Sequence, residues 1–185
     1  MVTMIILALD VATKCGYAVY DTGRPASAMI SGALQFIGSS AFEKVADMRR
    51  KLPKLIREHR PDFCAIEAPL SIVPTFTKKS KTMFGDEEEV STINPGTVMQ
   101  LNRLAGAAQI CVTGQNIPCV EVRPQSWLSV IDKDIKGSSK ERAKQMCARL
   151  KIVATNQDAR DACIIAYWTA KKCDQFRLLA AGVVA

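Results

Sequence analysis

The stretch MIILALDVATKCGYAVYD, residues 4–21, decides the reading of the fold. Residues 4–10 form one continuous apolar run closed by Asp10, too short for a membrane span and bounded like a buried strand. The polar break Ala12-Thr13-Lys14 separates it from GYAVYD at 16–21, which reads as a second strand folding back on the first. After a turn at Gly23-Arg24-Pro25, residues 28–37 (AMISGALQFI) suit a third strand, so three antiparallel strands open the chain.

Working outward, Ser39 or Ser40 is placed to cap a helix running to about His59, with Phe42, Val45, Ala46, Met48, Leu52, Leu55 and Ile56 at apolar positions and Pro53 predicted to kink it. Residues 62–67 (DFCAIE) are a fourth strand that ends on an acid, Glu67, with Pro69 behind it. Residues 68–95 show no period and read as a long flexible loop. A helix is expected over 96–114, with the small residues Ala105, Gly106, Ala107 and Ala108, then a fifth strand over 117–122. Ser138-Ser139 starts a helix over 140–150, and a final helix covers about 158–173. The order βββαβαβαα implies an α/β fold: a mixed five-stranded sheet, its first three strands antiparallel, with helices on both faces. The length of 185 residues fits one domain.

Composition narrows the partners. A net charge of +7 and a pI near 9.1 favour phosphate-rich polymers over polycations. Seven scattered cysteines with no C-x-x-C pair, beside the single His59, lack zinc spacing and read as buried thiols in a reducing compartment. The N-terminal apolar run has no basic region before it and ends in an acid, so it reads as a strand rather than a signal peptide. A soluble, cytoplasmic protein that does not enter membranes is expected.

Four acids carry the chemistry. Asp10 and Glu67 each close an apolar strand and project together if those strands are neighbours. Asp158 and Asp161 are three apart, on one face of a helix. Singly, each has a plain structural explanation, Asp158 for instance as a charge favoured at a helix N-terminus. Together, four carboxylates in a basic chain suit hard cations, Mg2+ or Mn2+, and two such ions about 4 Å apart serve in-line phosphodiester hydrolysis.

At this point the motifs I-L-A-L-D-x-A-T-x-x-x-G-Y (6–17), A-I-E (65–67) and D-A-R-D-A (158–162) resemble the RuvC family of Holliday-junction resolvases, in the RNase H-like superfamily. R-L-A-G-A-A-Q-I (103–110), P-C-V-E-V (118–122) and G-S-S-K-E-R-A (137–143) extend the resemblance over nearly the whole chain, as for a divergent or phage-type member. The resemblance implies that Asp10, Glu67, Asp158 and Asp161 bind two metal ions and that Lys140 assists at the phosphate. It implies a crossover junction endodeoxyribonuclease of DNA recombination and repair, a homodimer nicking four-way or branched DNA symmetrically, with helix 96–114 as the candidate dimer surface. The segment after Glu67 is longer than in bacterial members, and Phe76 and Phe84 both qualify as the aromatic wedge.

Further DNA-binding candidates are Thr13 and Lys14 behind the first acid, and Phe76, Lys78, Lys79 and Lys81 in the long loop. Lys133, Lys136, Ser138 and Arg142 belong to a stretch, Lys133 to Lys151, with seven basic residues against two acids. The acidic run Asp86 to Glu89 is expected to be solvated, and Trp127 and Trp168 to be core residues. Rival readings are an RNase H-like nuclease acting on RNA or RNA–DNA hybrid, a junction-binding protein without catalysis, and an actin-like ATPase or kinase. The last needs Gly-rich phosphate loops, which Val11-Ala12-Thr13-Lys14 does not supply.

Overall fold

A computed structural model describes residues 2–69, 77–81, 87–91 and 95–183. The chain opens with strands β1 (Ile5–Asp10), β2 (Lys14–Asp21) and β3 (Ile30–Gln35), a short 3-10 turn at Ala26–Ala28 preceding the third. They pair antiparallel, with Asp10 opposite Gly16 and Lys14 opposite Gln35. Helix α1 (Ala41–His59) follows, then β4 (Phe63–Glu67). Ser40 caps α1 in a reciprocal box with Glu43, which satisfies backbone donors at both ends of the cap. The helix continues past Pro53. The carbonyl deprived of its donor there is that of Arg49, on the solvent side, where water can replace the lost bond.

Within the stretch read as a long flexible loop, residues 77–81 and 87–91 pair as an antiparallel hairpin, β5 (Thr77–Lys81) and β6 (Glu87–Ser91). Its register sets Lys79 opposite Glu89 and Lys81 opposite Glu87. The acidic run is thus largely strand, and no apolar alternation was needed to form it. Helix α2 (Pro95–Thr113) and strand β7 (Cys119–Val122) come next, then a one-turn helix α3 (Pro124–Leu128), α4 (Ser139–Arg149), α5 (Gln157–Lys172) and α6 (Asp174–Ala180). Neither α3 nor α6 was expected from periodicity; each is too short to display a period.

The main sheet has the order β3-β2-β1-β4-β7, with β4 parallel to both β1 and β7. Strand alternation divides its side chains between two cores. Ile6, Ala8, Ala18, Phe63 and Ala65 face α5, where Ala162, Ile164 and Ile165 are fully buried. Leu7, Leu9, Cys64 and Ile66 face α1 and α2, against Met48, Leu52, Leu104 and Ala108. Burying each such large side chain contributes about 1.5–3 kcal/mol against its exposure. The sheet is therefore apolar on both faces, as its central strands read. All seven cysteines are free thiols. Among the described residues no helix is long and apolar enough to cross a membrane.

Candidate active site

The alternation that builds the core also aims the acids. Asp10 shares parity with Ile6 and Ala8, and Glu67 shares parity with Phe63 and Ala65, so both fall on the α5 side of the sheet. The parallel pairing of β1 and β4, with Leu9 opposite Ile66, brings Asp10 and Glu67 to the same sheet edge, where their carboxyl groups are hydrogen-bonded. Helix α5 starts over this edge. Asn156 caps it by accepting from the Ala159 amide at 2.9 Å, which fixes the turn carrying Asp158 and Asp161.

The close approach of α5 to the sheet depends on Gly16. A Cβ there would lie 2.0 Å from the Asp158 carbonyl oxygen and 2.3 Å from its carbon. Only glycine lets this backbone meet β2 where β2 pairs with Asp10.

The result is a concentration of negative charge. Burial, the hydrogen bond to Glu67 and the charges of Glu67, Asp161 and Asp158 together hold the Asp10 carboxyl far above the usual carboxylate range. Burial likewise pushes Asp161 up to about 6, with Glu67 and Asp158 adding to the rise. Two groups oppose it: Gln157, whose amide donates to Asp161 at 2.8 Å, and Lys140, which contributes positive charge. Lys14 Nζ lies 3.6 Å from Asp158.

The donor set is all oxygen, which is what Mg2+ or Mn2+ selects, and repulsion among its carboxylates adds to burial in raising Asp10 and Asp161. By that chemistry the residues fit a divalent cation. As placed, the acids form a hydrogen-bonded pair with two more carboxylates in electrostatic range. Among the described residues no three His, Cys, Asp or Glu side chains are drawn together tightly enough to hold an ion.

The other candidates are distributed as follows. Lys140 lies in the first turn of α4, and Lys133 and Lys136 are exposed on the loop before it. Ser138 caps α4, its hydroxyl accepting from the Glu141 amide and donating to the Glu141 carboxylate at 2.8 Å. Arg142 Nε is buried without a hydrogen-bond partner among the described residues. Arg149 departs from the basic stretch, since it is paired with Asp132 at 2.6 Å and Asp134 at 2.8 Å. Lys78, Lys79 and Lys81 are on β5, while Phe76 and Phe84 fall outside the described residues. His59 ends α1, which leads to the start of β4, opposite the end that carries Glu67.

Several supporting residues had no signal in the sequence pattern. Trp127 is buried as expected of a core residue, yet its indole Nε1 donates to Glu67 Oε1 at 2.8 Å. Gln157 orients Asp161. Gly16 stood inside the quoted G-Y motif, but spacing alone does not reveal what it touches. A cavity of about 1030 Å³ lies elsewhere, at the far ends of β2 and α5, lined by Tyr20, Thr22, Lys171 and Phe176.

A mixed sheet of this order, flanked on both faces by helices and carrying carboxylates on the edge where β1 and β4 end, is the RNase H-like architecture. Within that class the fold is that of the RuvC-type resolvases. Thermus thermophilus RuvC superposes with a TM-score of 0.60 at 16% identity, covering 97% of each chain. The structure of T. thermophilus RuvC in complex with a Holliday junction substrate gives 0.61 at 13% identity, over 90% of this chain and 92% of that one. The yeast mitochondrial Holliday junction resolvase Ydc2 gives 0.55 at 15% identity, over 97% and 84%. At these identities the likeness is one of fold. No protein-family profile matches the chain, and no curated protein matches it.

Proposed function

We propose that this chain is a metal-dependent, structure-selective endodeoxyribonuclease that resolves four-way DNA junctions by paired nicks, acting as a homodimer. The observation that supports the reading is that Asp158 and Asp161 on α5 lie within electrostatic range of the Asp10–Glu67 pair, in a chain whose fold is similar to that of RuvC-type resolvases. The basic balance of the chain and the lysines around the acids support a polyanionic substrate.

Asp10, Glu67, Asp158 and Asp161 would hold the metal, two divalent ions per site. When bound, these ions supply a nucleophilic water at neutral pH and neutralise charge at the attacking and leaving oxygens. The protein's own part is positional. Trp127 orients Glu67, Gln157 orients Asp161, and Asn156 sets the turn that carries both aspartates. Lys14 and Lys140 bring positive charge to the phosphate, Lys140 from the start of a helix whose free amides also favour an anion. Fixed donors of this kind need no reorganisation as charge develops.

The test is incubation of labelled four-way DNA, linear duplex and RNA–DNA hybrid with Mg2+ or Mn2+. Paired symmetric nicks in the junction are expected, with duplex left intact. Cleavage of the hybrid alone would assign the site to RNA, and no cleavage of any substrate would leave the acids without a hydrolytic role.

A further inference from the structure

At the β1–β2 turn, on the side of the sheet covered by α1 and α2, three polar side chains form a chain of hydrogen bonds. Lys44 on α1 donates from Nζ to Gln100 Oε1 at 3.1 Å, and Gln100 on α2 donates from Nε2 to Thr13 Oγ1 at 2.9 Å. All three are half-buried. Thr13 is at the turn between β1 and β2, three residues after Asp10 and next to Lys14, which lies 3.6 Å from Asp158. Its own carbonyl accepts from the Phe36 amide at 2.8 Å, so the turn is held independently of its side chain.

The polarity of this chain is fixed by chemistry. An ammonium group only donates, so the amide oxygen of Gln100 must face Lys44 and its NH2 must face Thr13. The Thr13 oxygen is thereby committed as acceptor, and its hydroxyl hydrogen points away from Gln100. Among the described residues that hydrogen meets no acceptor. A hydroxyl forced to be a donor, three residues after Asp10 and adjacent in the chain to Lys14, is suited to an anionic oxygen.

We propose that Thr13 donates a hydrogen bond to a backbone phosphate of the nucleic acid at the cleavage site, and that Gln100 and Lys44 are positioning residues that set the direction of that bond. The inference rests on the nuclease reading above and adds two residues to the site. Lys44 acts through Gln100 rather than by contacting the phosphate.

The experiment measures binding of a synthetic four-way DNA junction, a linear duplex and an RNA–DNA hybrid to the full chain in an Asp10→Asn background with Mg2+, as a function of salt. Thr13→Val is expected to weaken binding about tenfold or more, the loss of one hydrogen bond to a charged group, and Thr13→Ser to restore it. Gln100→Glu should weaken binding comparably, since a carboxylate accepts from both Lys44 and Thr13 and turns the hydroxyl inward. Added to Thr13→Val, it should cost little more. Lys44→Gln should weaken binding without changing the slope of log K against log salt, because no phosphate contact is lost; a direct contact would lower the slope by about one counterion. Melting temperatures within a few degrees of the parent would show that the variants fold. Unchanged affinity in Thr13→Val, or a reduced slope in Lys44→Gln, overturns the relay while leaving the nuclease reading standing. A parent that binds none of the three substrates removes both.

Discussion

Replacing Gly16 with alanine should damage stability and catalysis together, for one geometric reason. The added Cβ would sit 2.0 Å from the Asp158 carbonyl oxygen, 2.3 Å from its carbon and 3.0 Å from the Ala159 nitrogen. Separations under 3.0 Å are not tolerated, so something must retreat by about 1 Å, and every atom named is backbone. Strand β2 cannot yield, because it is hydrogen-bonded to β1 on one side and β3 on the other. The start of α5 must therefore lift. Overpacking of this kind costs about 3 kcal/mol, at the upper end of the usual range because no flexible side chain can absorb it. For a chain of this size that lowers Tm by about 6–12 °C. The same displacement carries Asp158 and Asp161 away from Asp10 and Glu67, and an error of about 1 Å in a reacting geometry costs about a hundredfold in rate. Thermal melting by circular dichroism and single-turnover cleavage of a four-way junction read the two effects. A Gly16→Ala protein that melts with the parent and cuts at its rate would show that α5 does not depend on this contact, and would refute the reasoning.

Asp10→Asn should abolish cleavage yet stabilise the metal-free protein at neutral pH. The folded-state pKa of Asp10 is raised, so ionisation works against folding: the parent loses stability as pH climbs above the unfolded value of about 3.9. In EDTA at pH 7 the variant should therefore melt at least about 2–4 °C higher, and the gap should close below about pH 4. Trp127→Phe removes the indole donor from Glu67 Oε1, and titration of cleavage and of binding heat with Mg2+ should show affinity about ten- to hundredfold weaker. Asp47 behaves in the opposite sense to Asp10. The Ile37 amide at 2.9 Å and the Lys51 and Arg50 side chains hold its carboxyl down to about 2, so its contribution is complete above about pH 4 and is lost as pH falls toward 2. Asp47→Asn should lower the urea midpoint at pH 6, with the difference from the parent shrinking across that acid window.

Much of the fold was written in local pattern. Asp10 and Glu67 could be read as strand-end acids because each closes an apolar run, and Asp158 and Asp161 as a pair because helical spacing puts residues three apart on one face. Ser40, Ser138 and the seven free thiols also followed from residue type and neighbourhood. The hairpin β5–β6 did not, because its strands carry lysines and glutamates where alternation of apolar and polar residues would have signalled them. The short helices α3 and α6 lack the length to show a period at all.

By itself the sequence determined which residues are acids at strand ends, which faces are apolar and how the charge of the whole chain is signed, because these depend on residues near one another in the chain. Only the tertiary structure decided that β1 and β4 are parallel neighbours, so that equal parity turns Asp10 and Glu67 onto the face covered by α5. It alone revealed that Gly16 admits the Asp158 backbone, that Trp127 donates to Glu67, and that Gln100 is hydrogen-bonded to both Lys44 and Thr13. These contacts join residues separated by dozens of positions. Their register is set by how the sheet is ordered and how closely a helix can approach it, which no local pattern encodes.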